Sequence, residues 1–198
     1  MIALNAPSTL RHGALVLAAG ASKRLGRPKQ LIEIDGEPAL RRVVRYALAT
    51  EPLDCIVVLG HDAARVEQAL GNLRVHSVVA DDFGSGMAAS LRAGIGALDA
   101  RCDGALIVLT DQPALNEAHL KALCDAWRAQ PAFAVASAYA NLVGVPAVLP
   151  RAWFADIARL QGDVGARDLL RARREQVIAI SAAELEKDID TPEDVRNR

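Results

Sequence analysis

The chain is poor in aromatic side chains. Phe, Trp and Tyr make up 4% of its 198 residues against a hydrophobic fraction of 52%. The interior must therefore be aliphatic and rich in alanine. Net charge is also lacking: the formal value is -1, with charged residues at 24% spread along the chain. That argues against a protein whose main partner is a nucleic-acid backbone. No apolar run is long enough to span a bilayer. The three cysteines, Cys55, Cys102 and Cys124, are odd in number and no pair has metal-ligand spacing. They read as buried free thiols in a reducing, cytoplasmic setting. Internal repeats, low-complexity tracts and linkers are missing, so one domain over residues 1–198 is expected. Residues 14–21 superficially resemble a signal-peptide cleavage region. The preceding basic region is weak, however, and cleavage would remove the first strand.

Lysine is the scarcest charge. Of four lysines (Lys23, Lys29, Lys121, Lys187), two fall in one loop, ALVLAAGASKRLGRPKQ, residues 14–30. An apolar run stops at Gly20, and small residues follow, interspersed with Lys23, Arg24, Arg27 and Lys29. A buried strand running into a basic loop of small residues is how α/β proteins hold polyphosphate: backbone N–H groups approach closely and cations neutralise charge. The loop is not a Walker A motif, because Gly26 is followed by Arg27-Pro28. It does not fit G-x-G-x-x-G either.

Apolar runs at 14–19, 55–59, 75–80, 105–110, 133–138, 147–149 and 177–180 alternate with helical patterns. Several are continuously apolar, as in strands covered on both faces. Helical spacing is seen at Leu40, Val43, Val44, Ala47 and Leu48, at Val66 and Leu70, at Met87, Leu91, Ile95 and Leu98, and at Leu120, Leu123, Cys124 and Trp127, with Asn116 an N-cap. Repeated strand–helix units predict a mostly parallel sheet with right-handed crossovers. Residues 1–12 read as a loose polar arm. The pattern changes after Ala138: Gly144-Val145-Pro146 interrupts it, Pro150 ends the next run, and two short helices are predicted near 151–160 and 164–173. Residues 13–138 then form a nucleotide-binding part and 139–198 a part that closes over the carboxyl edge of the sheet and holds a second substrate.

Asp111 follows the 105–110 run, and Pro113 stops that strand. Asp111 thus lies on the same edge as the Gly20 loop, as a functional carboxylate or as a turn residue. In Asp188-Ile189-Asp190-Thr191-Pro192-Glu193-Asp194, Ile189 faces the core while Asp188 and Asp190 face away from it. Thr191 reads as an N-cap, Pro192 as the first helical residue and Asp194 as the acid of a capping-box variant. Carboxylates from distant positions beside a basic loop suit Mg²⁺ held by few protein oxygens and by substrate phosphates.

These residues resemble a known family. LAAGASKRLGRPKQL is similar to the L-A-[AG]-G-x-S-x-R-[ML]-G-x-x-K signature of MobA-like nucleotidyltransferases, closest to their molybdenum cofactor cytidylyltransferase branch. Further similar blocks are Gly86-Met87-Ala88-Ala89-Ser90-Leu91, Thr110-Asp111-Gln112-Pro113, Gly144-Val145-Pro146 with Pro150-Arg151, Gly162-Asp163-Val164-Gly165-Ala166-Arg167, and the run from Asp188 to Asp194. The resemblance implies a Rossmann-like three-layer α/β/α sandwich of the nucleotide-diphosphosugar transferase type. It implies Mg²⁺-dependent nucleotidyl transfer from an NTP to a pterin phosphate, with a molybdoenzyme receiving the product. Ala18-Ala19-Gly20 implies CTP; A-G-G would imply GTP.

Carried over by position, the resemblance implies that Leu17, Ala18, Ala19 and Gly20 contact base and ribose through the backbone, and that Ser22 lies in the same nucleotide-binding loop. Arg24 and Lys29 hold the triphosphate and the departing pyrophosphate, and act with Asp111 as the catalytic set. Gly86, Met87 and Ser90 line the base pocket. Asp111 and Asp190 ligate Mg²⁺. Gly162, Asp163, Gly165 and Arg167 face the acceptor. Many relatives carry Asn at the position of Ala80, so Asp81 or Asp82 takes over its nucleotide contact. Lys23 and Arg27 are expected to be exposed. An acceptor phosphate is already a nucleophile, so no activated Ser, Cys or His is needed. The four histidines therefore need no catalytic role, although His61 lies on the ligand edge. Two other readings stand beside this one: another base or acceptor, such as a guanylyltransferase or sugar-phosphate nucleotidyltransferase, and a non-enzymatic molybdoenzyme assembly factor.

Overall fold

A computed structural model describes residues 10–22, 24–140 and 142–196. The chain enters the sheet through β1 (His12–Ala18), then forms a short hairpin of β2 (Glu33–Ile34) and β3 (Glu37–Pro38) before α1 (Ala39–Leu48). β4 (Cys55–Leu59), α2 (Ala63–Gln68), β5 (His76–Val79) and α3 (Met87–Ala97) follow, then β6 (Gly104–Leu109) and α4 (Glu117–Ala129). The chain ends with β7 (Ala134–Tyr139), β8 (Leu142–Pro150), α5 (Phe154–Ile157), α6 (Ala166–Ala172), β9 (Val177–Ser181) and α7 (Pro192–Arg196).

Seven strands form one sheet in the order β5-β4-β1-β6-β8-β7-β9. The β5–β4, β4–β1, β1–β6 and β7–β9 pairs are parallel, and only β8 runs antiparallel to its neighbours. The sheet is mostly parallel, as the alternation of elements predicted. β1 and β4 are buried at every position, because helices cover both faces. Period-2 alternation sorts their side chains. Ala14, Val16, Cys55 and Val57 join Leu40, Leu120 and Trp127 in one cluster. Leu15, Leu17, Ile56 and Val58 join Leu91, Ile157 and Leu170 in the other. Three layers result, with α1 and α4 on one face and α3, α5 and α6 on the other. The three cysteines are buried free thiols, and burial pushes the Cys55 thiol up to about 12.

Four details differ from the sequence reading. His12 belongs to β1 and is buried rather than part of an arm, while residues 1–9 lie outside the described residues. The β2–β3 hairpin was missed; its turn holds Asp35 and Gly36 at φ 54° and 79°, a left-handed pair that only short polar or glycine residues adopt cheaply. β8 runs through Gly144-Val145-Pro146 instead of being broken there. A register shift opposite Ala136 and Ser137 absorbs the proline, which has no N–H for the ladder. β5 is an edge strand with half-exposed residues, not a doubly covered one.

His12 packs between layers. Its Nε2 lies 2.8 Å from Thr50 Oγ1, and that hydroxyl donates to the Ala47 carbonyl at 2.7 Å. Nε2 must therefore donate, leaving Nδ1 to accept from Arg128 Nη2 at 3.3 Å. Burial, then the Arg128 charge, pushes His12 down to about 4. The unfolded chain binds a proton near pH 6.5 that the folded chain refuses until about 4. This contribution to stability is complete above pH 6.5 and drains as pH falls to 4, by up to about 3 kcal/mol. Urea unfolding should show that fall in the wild type and a shallower one in His12→Asn; equal slopes would refute it.

Candidate active site

Strand order reverses at β1, where the chain steps to β4 on one side and later to β6 on the other. In open α/β sheets, ligands bind in the crevice beyond the strand ends at such a point. Here that crevice takes the Gly20 loop from β1 and Asp111 from just beyond β6. The loop folds on itself. The Ser22 carbonyl accepts from Leu25 N at 3.0 Å and Gly26 N at 3.2 Å, and Ser22 Oγ accepts from Lys29 N at 3.0 Å. Gly26, at φ 71°, turns the chain back. Fully buried Gln30 donates through Nε2 to the Ala18 carbonyl at 2.7 Å and the Gly20 carbonyl at 3.0 Å.

This folding delivers Lys29 to the acidic side of the crevice. Lys29 Nζ donates to Asp111 Oδ2 and lies 3.8 Å from Asp190 Oδ1. Arg24, whose side chain is 75% exposed, reaches Asp190 Oδ2 at 2.8 Å. Asp190 is brought there by a backbone bond from Ile189 N to the Asp111 carbonyl, 2.8 Å. Ile189 itself is buried with Leu25, Ile32, Ile34 and Ala39. The capping expected at α7 is present: Asp194 Oδ2 accepts from Thr191 N at 2.7 Å and Asp190 N at 3.1 Å.

Asp111 Oδ1 is buried with no hydrogen-bond partner. An ionised oxygen in that state is costly unless a cation completes it. Burial, then the Asp111 carboxylate, pushes Asp188 up to about 6 against the pull of Lys29 and Arg167. The crevice thus keeps one carboxylate oxygen unpaired, and its donors are the hard oxygens that suit Mg²⁺ or Mn²⁺. Among the described residues no three His, Cys, Asp or Glu side chains form a ready-made cage.

Two cavities meet here. One, of about 210 Å³, is lined by Leu17, Ala19, Gly20, Lys29, Gly86, Met87, Ser90 and Asp111 from the expected set. It also takes Gln30, Phe83, Leu109 and Thr110, which sequence reasoning missed. Phe83 was marked only by the scarcity of aromatics. Ala18 is not on the lining: it is buried, and its carbonyl is spent on Gln30. Asp81 and Asp82 sit on an exposed turn and do not line it either; Phe83 reaches in from that segment instead. Ser22 and Arg24 line a smaller neighbouring hollow with Lys29 and Asp190. His61 lies outside these cavities, its ring 6.3 Å from Phe83. Arg27 is exposed, and Lys23 lies outside the described residues.

The second cavity, of about 350 Å³, shares Leu17, Met87, Leu109 and Asp111 with the first and adds Asp163, Gly165, Arg167 and Asp188. Gly162 is set back from it. Its carbonyl accepts from Ala88 N at 3.2 Å, tying the loop before α6 to the start of α3. Gly86 makes this joint possible: φ is 115°, and a Cβ there would stand 2.4 Å from the Gly162 carbonyl oxygen. Met87, expected to line the base pocket, is 40% exposed and opens on both cavities.

Comparison with known proteins gives the family. Residues 14–177 match the model of the MobA-like NTP transferase domain. The chain belongs to that family. It is 32% identical over 191 residues to nicotine blue oxidoreductase of Paenarthrobacter nicotinovorans, covering 90% of this chain and 92% of the other. It is 31% identical over 191 residues to the purine catabolism protein PucB of Bacillus subtilis, covering 90% and 91%. The crystal structure of Rv0371c from Mycobacterium tuberculosis superposes with a TM-score of 0.82 at 31% identity, covering 96% of this chain and 98% of that one. The same protein was solved in complex with manganese, with a TM-score of 0.79 at 30% identity and coverage of 94% and 97%.

In this domain the Gly86–Gly162 contact joins the walls of the two cavities. Gly86→Ala should lower unfolding stability by about 1–3 kcal/mol, through left-handed strain and the clash with a carbonyl. Denaturant titration measures this, and an unchanged midpoint would mean that the two loops part freely.

Proposed function

We propose that this chain transfers CMP from CTP to the phosphate of molybdopterin, releasing pyrophosphate. One observation carries the nucleotidyl-transfer reading: Lys29 and Arg24 are held against Asp111 and Asp190 at the mouth of the β1/β6 crevice. Both signs of charge are needed where a polyphosphate and a cation bind together. The cytidylyl and molybdopterin assignments rest on the resemblance of Ala18-Ala19-Gly20 and of the blocks after Gly86. The two curated relatives bear names of different activities, so neither name sets the acceptor.

In this reading the smaller cavity takes the nucleotide, with Ala19 and Gly20 against base and ribose and Gly86, Met87 and Ser90 around the base. The larger cavity takes the acceptor, beside Asp163, Gly165 and Arg167. Residues 13–138 supply most of the nucleotide part and 139–198 most of the acceptor part. An oxygen of the acceptor phosphate forms the new bond to the α-phosphorus of CTP. The bond from that phosphorus to the bridging oxygen breaks in line, and its electrons leave on pyrophosphate. No general base is required, since the attacking oxygen is already ionised. Arg24 and Lys29 turn from the carboxylates to the phosphates and stabilise the departing charge. Asp111 and Asp190 would hold Mg²⁺, which when bound neutralises phosphate charge.

Asp111→Asn should lower kcat/KM by about 100-fold, and Lys29→Ala should raise KM for CTP by about tenfold. Pyrophosphate release with Mg²⁺ and a pterin phosphate is the readout. Equal turnover with GTP removes the cytidylyl assignment, and no release with any NTP removes the enzyme class. Lys29→Gln separates the two duties of that lysine. Calorimetry should find Mn²⁺ alone bound about tenfold more tightly, because its competitor for Asp111 is gone, while CTP binds more weakly. Unchanged Mn²⁺ affinity would show that Lys29 does not guard the carboxylates.

A further inference from the structure

The acceptor-side cavity has a second cation that nothing above uses. Arg167 and Arg171 stand one helical turn apart on α6, and both line the cavity. Arg171 has no hydrogen bond, ion pair or ring contact among the described residues. Its neighbours are committed. Asp168 accepts from Gly165 N at 2.8 Å, and Arg173 pairs with Asp156 at 2.5 Å while lying over Trp153. One cavity thus takes Asp111 and Asp188, the two α6 arginines, and an apolar wall of Leu17, Ile107, Leu109 and Val145.

We infer that Arg171 is a specificity-determining residue for an acceptor bearing two anionic groups: a phosphomonoester at the Asp111 end and a second anion one helical turn away, joined by an apolar body. This rests on the acceptor reading of the cavity given above. A guanidinium with no protein partner is free to exchange its hydration for an anion that accepts two of its N–H groups. A simple phosphomonoester would leave Arg171 unused.

Phenyl phosphate and 4-carboxyphenyl phosphate separate the two anchors, since they share an apolar ring and differ by one carboxylate. Calorimetric titration at pH 8 should show the wild type binding the carboxylated ester about tenfold more tightly. Arg171→Ala should abolish that preference and leave phenyl phosphate binding unchanged. Arg171→Lys should keep part of the preference, and Arg167→Ala should weaken both esters alike. Both arginines are exposed, and equal melting curves check that the variants fold. The inference fails if the wild type shows no preference, if Arg171→Ala retains it, or if Arg171→Ala weakens both esters equally. Mg²⁺–CTP titrated into the same wild-type sample reports separately on the proposed activity: loss of CTP binding there counts against that activity, while the two esters still decide the role of Arg171.

Discussion

The contact between Lys29 and Asp111 organises everything around it. Both side chains are largely buried, at 20% and 11% exposed. A pair removed from water to that extent recovers little net free energy, because desolvation offsets most of the attraction. Apolar residues of similar volume would stabilise the crevice at least as well. Yet Gln30, Ser22 and Gly26 all serve to hold Lys29 in place, and the Ile189 backbone bond holds Asp111 beside Asp190. So many supports for a pair of small energetic value are understandable if the charges are stored for later partners. In the proposed reaction, each sign of charge satisfies the other until a polyphosphate and a cation arrive together.

Storage of this kind has a cost, visible in what the pair leaves unfinished. Asp111 Oδ1 has no partner, and burial, then the neighbouring Asp111 carboxylate, pushes the Asp188 proton affinity upward. Lys29, Arg24 and Arg167 face Asp111, Asp190 and Asp188, yet Asp111 Oδ1 gains no partner from them. This crowding of charge is local: the chain as a whole is nearly neutral. Strand order explains why it arises here. The reversal at β1 places the ends of β1 and β6 side by side, so a basic loop and an acidic turn far apart in sequence become neighbours.

Much of this was legible from the chain alone. Continuous apolar runs at β1, β4 and β6 announced strands covered on both faces. Lysine scarcity made the Gly20 loop stand out, and Thr191-Pro192-Glu193-Asp194 carried its own capping chemistry. What was not legible depended on chain reversals and on backbone accounting. β8 continues through Pro146 because a register shift against β7 absorbs the missing donor, which no local pattern displays. Ala18 was placed at the ligand by its position in a motif, but its carbonyl is taken by a glutamine twelve residues on. Phe83 enters the cavity because Gly60 leaves room beside it: a Cβ on Gly60 would stand 2.8 Å from the Phe83 Cβ. Such dependence between distant positions has no signature within either segment.

The same distinction separates reaction class from substrate. Transfer of a nucleotidyl group demands charges at a strand edge, and charged residues are conspicuous in an aliphatic, nearly neutral chain. In the proposed reading, recognition of the acceptor is assembled differently, from Leu17 on β1, Ile107 and Leu109 on β6, Val145 on β8 and the α6 arginines. No two of these elements are consecutive in sequence, and the apolar members are indistinguishable from ordinary core residues until the fold leaves them lining a cavity. The Gly86–Gly162 contact then ties the walls of the two cavities together. Apolar wall residues can change without disturbing the charged centre, so one family can hold members of different name at near-equal similarity to this chain.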